Sequence, residues 1–427
     1  MTGTPHLIDD CFLHDKGRMR HDDVVALITS RLGPVVGISS VRLDNLSGRL
    51  LAEGVEAPRN VPLHDNSAVD GYAFAHGDYA ADNTMTIGPR IAAGDRPPAP
   101  LAGGAAARIF TGAVMPPNAD TVAMQEDCTV SDDGMSVTIP AGLRPGANRR
   151  LAGEDVKAGD RLLVPGQRLR PQDIAALASL GKSEIGVFDK LRVAIVSTGN
   201  ELVEPGSVAV LNEGQVFDTN RHMLAALCRD LPVATTDLGI LEDDEAAISA
   251  ALSKAAADHN VILTTGGASR GEEDHIVRTI DRLGKRHLWQ IAIKPGRPMS
   301  FGQIGDCVFL GLPGNPVAAF VCFLLYCCPA LRLLGGGTYR EPRRYALPAG
   351  FAIKSKKPDR REFQRGWLET DDKGNTVVQK YPRDGSGLIS GLRSAGGLIE
   401  LGEDIRAVKP GDPVNYIPFS EFGITTG

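Results

Sequence analysis

LRVAIVSTGNEL, residues 191–202, and VILTTGG, residues 261–267, decide the fold. Each is a short run of branched apolar residues that ends in a polar turn carrying glycine. Runs with no polar alternation fit strands covered on both faces. Between them the pattern gives a helix at 222–230, a strand at 233–241 and a helix at 244–258 capped by Asp243 or Asp244. Beyond them it gives a helix at 275–283, strands at 287–294 and 307–312, and a long apolar helix at 316–334. Strand and helix alternate, so residues 187–335 are expected to form a parallel α/β domain. Ligands of such sheets bind beyond the carboxyl ends of the strands.

The flanks read differently. Residues 43–142 carry short apolar runs, such as 84–87, 107–111 and 121–125, between Gly, Pro, Asn and Asp. That is a β-rich region with many turns. Residues 1–42 and 143–186 hold helical patterns at 21–32 and 171–180 and are expected to form one discontinuous unit. After Leu334-Gly335-Gly336-Gly337, residues 336–427 return to β texture as a small C-terminal domain. The fold class is therefore multidomain, mixing α+β with α/β.

The strand-end loops of the central domain carry the chemistry. Gly266-Gly267-Ala268-Ser269-Arg270 can aim backbone N–H groups at an anion next to a helix start. Leu312-Pro313-Gly314-Asn315-Pro316 is a second turn of this kind, with Asn315 able to cap the following helix. Glu201, Asp243 and Asp274 also lie at strand ends, and together could hold a hard cation. Lys294-Pro295-Gly296-Arg297 puts two cations on a stiffened turn. Singly, each has a plain structural reading: glycine turn, cap, solvated acid or solvated base. Jointly they suit a phosphorylated substrate with a divalent metal. There is no Walker A sequence and no GxGxxG, so neither a P-loop nor a conventional dinucleotide site is expected.

Composition narrows the class. The chain has 427 residues and a net charge of -6, so nucleic acid is not the expected partner. Seven cysteines without a CxxC pair fit a reducing compartment, and Cys322, Cys327 and Cys328 read as small hydrophobes in a buried helix. The first residues show no apolar leader, and the 316–334 run reads as a core helix. A cytoplasmic protein with no membrane partner is expected.

Several segments, in order, resemble the molybdopterin molybdotransferase (MoeA) family and the homologous domain of gephyrin. They are Asp65-Asn66-Ser67-Ala68-Val69-Asp70-Gly71-Tyr72, Thr111-Gly112-Ala113, Thr198-Gly199-Asn200-Glu201, Asp218-Thr219-Asn220-Arg221, the Gly266–Asp274 loop, Lys294-Pro295-Gly296, Leu312–Pro316 and Phe363-Gln364-Arg365-Gly366. The resemblance implies an elongated homodimer of four-domain chains, including a β-rich lasso domain. The central domain would be shared with the molybdopterin adenylyltransferases. It implies adenylylated molybdopterin and molybdate as substrates, AMP as a product and Mg2+ as cofactor. The adenylyltransferase of the preceding step is a candidate partner.

Carried onto this chain, the resemblance makes Glu201, Asp243 and Asp274 metal and phosphate-handling acids, and Lys294 a contact to molybdate or phosphate. Arg365 and Ser386 would reach towards molybdate, and Asp65 and Thr111 would complete the cleft from the partner subunit. Gly266, Gly267, Ser269, Arg297, Pro313, Gly314 and Asn315 would line the substrate. Three positions depart from the family pattern: Arg270 for Val or Met, Gln290 for a common Lys, and Ala318 for a common Ser. The rival readings are the adenylyltransferase itself, which would not need the flanking β regions, and a non-catalytic pterin-binding scaffold.

Overall fold

The computed structural model describes residues 18–79, 83–96, 98–242, 244–266 and 275–424. The central sheet has six strands in the order Val233–Leu241, Leu191–Thr198, Val261–Thr265, Cys307–Leu312, Pro298–Ile304 and Lys285–Gln290. The first four are parallel, as the alternation predicts. The last two are antiparallel additions at one edge. The expected strand at 287–294 is divided. Lys285–Gln290 stays in this sheet, whereas Ile293–Lys294 joins the C-terminal sheet beside Arg361–Thr370. Lys294 therefore stands at a junction between two sheets.

The two faces of the central sheet follow from strand periodicity. Val193, Ile195, Leu263 and Leu310 face Leu224 and Val321 of the helices Asn220–Arg229 and Pro316–Cys322. Ala194, Val196, Ile262 and Phe309 face the helices Glu245–Asp258 and His275–Leu283. The run Pro316–Leu334 is helical throughout but widens to a π-turn at Phe323–Cys327. Pro329 has no N–H for the preceding turn, and the wider turn accommodates its ring. Cys322, Cys327 and Cys328 lie buried there as packing atoms. Burial pushes the Cys322 thiol up to about 12, which keeps it protonated and unreactive.

Around this core lie three further assemblies. A six-stranded sheet from Gly71 to Thr138 forms the β-rich region. A second cluster joins Leu46, Leu51 and Val55 to Leu163, Leu177 and Val187. The expected boundary at residue 43 thus falls inside that cluster, because apolar residues on both sides of it share one core. The helix His21–Arg31 departs from expectation too: Val24 and Ile28 pack into the central core rather than with residues 143–186. The C-terminal sheet runs Ile293–Lys294, Arg361–Thr370, Gly397–Leu401, Pro413–Pro418 and Tyr345–Pro348, with Thr376–Lys380 alongside.

Candidate active site at the strand ends

Three central strands end level with one another. Ser197 pairs with Thr265, and Thr265 with Leu312. Beyond these residues the chain turns in three loops that touch. The Gly266 N–H donates to the Leu312 carbonyl at 3.1 Å. A Cβ on Gly266 would stand 3.0 Å from the Thr198 carbonyl, and its φ of +91° also suits glycine. Gly199 serves a similar end: the Glu201 carboxylate folds back over it, and a Cβ there would meet Glu201 Oε2. Glu201 is exposed at this rim.

Asn220 clamps the loops from below. Its Nδ2 donates to Thr265 Oγ1 at 2.7 Å and to the Gly314 carbonyl at 2.7 Å. Its Oδ1 and the Ser197 Oγ are buried without a hydrogen-bond partner among the described residues. The neighbouring motif residues are structural. Arg221, 3% exposed, is held by Asp218 at 2.9 Å and also pairs with Glu204 and Asp237.

The rim continues towards the C-terminal domain. Asn315 stands at the N-cap of the Pro316–Cys322 helix but makes no side-chain cap bond, so its amide is left at the exposed edge. In the same first turn the Val317 N–H donates to the Ser386 carbonyl at 2.9 Å. Ser386 belongs to the loop of Asp384, whose Oδ2 is 3.8 Å from Lys294 Nζ. Glu362 Oε2 lies at the same distance on the other side of Lys294. Both distances exceed a hydrogen bond. Among the described residues Lys294 thus makes no hydrogen bond, while sitting between two acids. Burial alone would raise the Asp384 carboxyl, but the Lys380 ammonium at 2.6 Å, with Lys294 and Arg365, holds it below its ordinary value. Gly296 is seated on the helix through Cys322 Sγ, which donates to its carbonyl at 3.4 Å.

Gly266, Pro313, Gly314, Asn315, Ser386 and Lys294 therefore share one rim with Glu201. Arg297, one turn further, is exposed. Asp243, Gly267, Ser269 and Asp274 lie outside the described residues, as does Arg270. Two expected contacts are already engaged within this chain. Arg365 is 3% exposed, and its guanidinium donates to the carbonyls of Leu388 at 3.0 Å and Arg383 at 2.6 Å while lying over the Tyr381 ring. These bonds hold the loop of Ser386 in place. Burial lowers the Arg365 pKa from the usual value. Asp65 is likewise committed: Oδ1 accepts from the Ala152 N–H at 2.8 Å and Oδ2 is 3.6 Å from Arg149.

Asp70 is the carboxylate joined to Thr111, and the sequence reading passed over it. Its Oδ1 accepts from both the Thr111 N–H at 2.8 Å and the Thr111 hydroxyl at 2.7 Å. These bonds hold the Asp70 carboxyl below its usual pKa. Asp70 had been in view within Asp65–Tyr72, but two acids five residues apart look alike on paper. Asn220, Glu362 and Asp384 were missed as well. Asn220 alone carried a signal, as a polar residue opening a helix at a strand end.

Among the described residues no group of three or more metal-ligating side chains is present, and Glu201 is the one placed member of the expected acid set. A single exposed carboxylate beside turns that favour phosphate still fits Mg2+. That ion commonly takes one or two carboxylates and completes its shell with water and substrate phosphates.

Comparison with known proteins covers nearly the whole chain. Residues 19–181 match the model described as MoeA N-terminal region (domain I and II). Residues 194–333 match the probable molybdopterin binding domain, and 346–419 the MoeA C-terminal region (domain IV). A molybdopterin molybdenumtransferase of Haemophilus influenzae is 36% identical over 89% of this chain and 93% of its own. Molybdopterin molybdenumtransferase 2 of Mycobacterium tuberculosis is 34% identical over 92% and 96%. A crystal structure of the molybdopterin biosynthesis moeA protein from Pyrococcus horikoshii superimposes with a TM-score of 0.80 at 28% identity, covering 94% of this chain and 100% of that one.

Proposed function

This chain belongs to the MoeA family, and from that membership we propose that it is the transferase that inserts molybdenum into molybdopterin during cofactor biosynthesis. Its substrates are adenylylated molybdopterin and molybdate, and AMP leaves. The observation that carries this reading is the single rim running from Glu201 through Gly266 and Gly314 to Ser386 and Lys294. It joins two glycine turns, an ammonium that makes no hydrogen bond among the described residues, and an exposed carboxylate along one edge.

Cleaving a phosphoanhydride and admitting an oxyanion both concentrate negative charge. Catalysis of such a step rests on position and charge neutralisation more than on a strong nucleophile. The Gly266 and Gly314 turns hold the diphosphate against the strand ends. Lys294, which makes no hydrogen bond among the described residues, receives the molybdate oxygens or the anhydride oxygen. Ser386, held by the Val317 N–H, borders the same space, and Arg365 fixes its loop. Mg2+, held by Glu201 with Asp243 and Asp274, would neutralise the phosphates. A homodimer would bring Asp70 and Thr111 of one subunit to the rim of the other. The free cysteines favour a cytoplasmic setting.

The direct test is AMP release from adenylylated molybdopterin in Mg2+, with and without molybdate. Molybdate-dependent release of AMP together with a metal-loaded pterin is expected. ATP consumption without molybdate would instead mark an adenylyltransferase, and binding without turnover a scaffold; either result overturns the proposal.

A further inference from the structure

A cavity of about 830 Å³ lies beside the strand-end rim, between the central domain and the C-terminal sheet. Its size is that of a small-molecule pocket. Thr219, Met223, Pro316 and Phe320 form one side, and Trp367 and Tyr416 stand on the other. Leu368 and Ile389 lie at its edge, 48% and 45% exposed.

Named bonds hold these walls in place. Thr219 and Pro316 come from segments nearly a hundred residues apart. Asn220, directly after Thr219, donates to the carbonyl of Gly314, two residues before Pro316. The Val317–Ser386 bond draws the C-terminal loop onto the same helix start. Phe320 and Phe419 meet edge to face at 5.2 Å and close the floor. Thr219 adjoins Asn220 and Pro316 adjoins Asn315, so this wall of the cavity is continuous with the Gly314 turn.

We infer that this cavity seats a flat nitrogen heterocycle that carries a phosphate ester, with the ring against Trp367 and the phosphate reaching past Thr219 and Pro316 to the Gly266 and Gly314 turns. This rests on the function proposed above. Aromatic walls favour a π-face, and the Ser394 hydroxyl, which donates to the Ser390 carbonyl at 3.0 Å, can still accept from a ring amino group at the edge beside Thr219. Adenylylated molybdopterin has such a ring at each end of its diphosphate, one a pterin and one an adenine. Both share the recognised chemistry.

The chain has two tryptophans, so Trp289→Phe leaves Trp367 as a single fluorescent reporter. That protein is titrated separately with AMP, with pterin-bearing molybdopterin, and with inorganic phosphate. Quenching by AMP assigns the ring as adenine and quenching by molybdopterin assigns it as pterin; phosphate alone leaves the emission unchanged. Two variants then test the pocket, Trp367→Ala to remove the stacking wall and Ser394→Trp to fill the space from an exposed position. Each should weaken the ring-bearing ligand by about tenfold or more. Circular dichroism and the midpoint of thermal unfolding check that both variants remain folded.

If wild type turns over adenylylated molybdopterin but neither variant changes ring affinity, the pocket assignment falls and the proposed function stands. If Ser394→Trp separates a dimer while ring affinity is kept, a second copy occupies the cavity and the assignment falls as well. If wild type neither binds nor converts the substrate, the functional reading fails and takes this inference with it.

Discussion

Arg361 and Glu362 are neighbours on one strand, yet they belong to opposite kinds of charge cluster. Arg361 faces a closed one. Its guanidinium meets Asp22 at 2.8 Å, Glu400 at 3.1 Å and Glu403 at 3.3 Å, while Arg344 takes the other oxygen of Glu400 at 2.5 Å. Glu362 faces an open one. Arg360 at 2.7 Å and Gln364 at 2.9 Å satisfy it, so Lys294 at 3.8 Å is surplus. Alternation along a strand sends adjacent side chains to different faces. One face is used to dock the helix His21–Arg31 onto the C-terminal sheet, and the other leaves a cation without a hydrogen bond among the described residues. Charges drawn within 3.3 Å of one another hold structure, whereas a looser one is available to a ligand.

The largest effect should come from opening the closed cluster. Arg361→Met leaves Glu400, which is 4% exposed, with Arg344 alone and takes the ion-pair partner from Glu403, while the largely exposed Asp22 returns to water. Removing one member of a buried ion network costs roughly 3–5 kcal/mol. Thermal unfolding should begin at a clearly lower temperature in this variant. A curve that overlays wild type would refute the contrast between the clusters.

A pH effect of similar origin should follow from His21. It is 4% exposed, and its Nδ1 lies 2.9 Å from the Tyr326 hydroxyl. Burial, aided by Arg361 and Arg344 and opposed by Asp22 and Glu403, lowers its pKa from 6.5 to about 4. Because the folded value is depressed, this stabilisation is complete above 6.5 and is lost as pH falls from 6.5 towards 4. Its full extent is about 3 kcal/mol. His21→Gln can keep a bond to Tyr326 without titrating, so its stability should fall less between pH 7 and pH 4 than that of wild type. Parallel acid profiles for the two proteins would remove His21 from the account.

The same contrast explains what could be read from the chain beforehand. The four parallel strands and their turns were legible because apolar runs and turn glycines are local signals. The antiparallel strand Pro298–Ile304 was not, since it begins inside the Lys294–Pro298 turn and reads as its continuation. The switch of Ile293–Lys294 into another sheet leaves no mark in an unbroken apolar run. Among the site residues, types and neighbourhoods were visible but commitments were not. Arg365 looks like an anion ligand in sequence, and only its burial against the Leu388 and Arg383 carbonyls shows that it is already engaged. Asp65 and Asp70 differ in what they bind, which no spacing encodes.

Lys294→Met gives the smallest free-energy change and the sharpest test of the open cluster. Methionine keeps most of the stem and removes the ammonium. Glu362 retains Arg360 and Gln364, and Asp384 retains Lys380 at 2.6 Å, so no acid is left without a partner. Unfolding should therefore stay close to wild type. Molybdate-dependent AMP release should nevertheless drop by about a hundredfold in kcat/KM, or ~2.7 kcal/mol, since a donor aimed at developing charge is gone. Lys294→Arg would restore charge but carry a planar fork into a space bounded by two acids, and should recover only part of the rate. Were Lys294→Met to lose stability and keep its rate, the ammonium would be a structural tie between Glu362 and Asp384, and the two clusters would differ only in how tightly they are drawn.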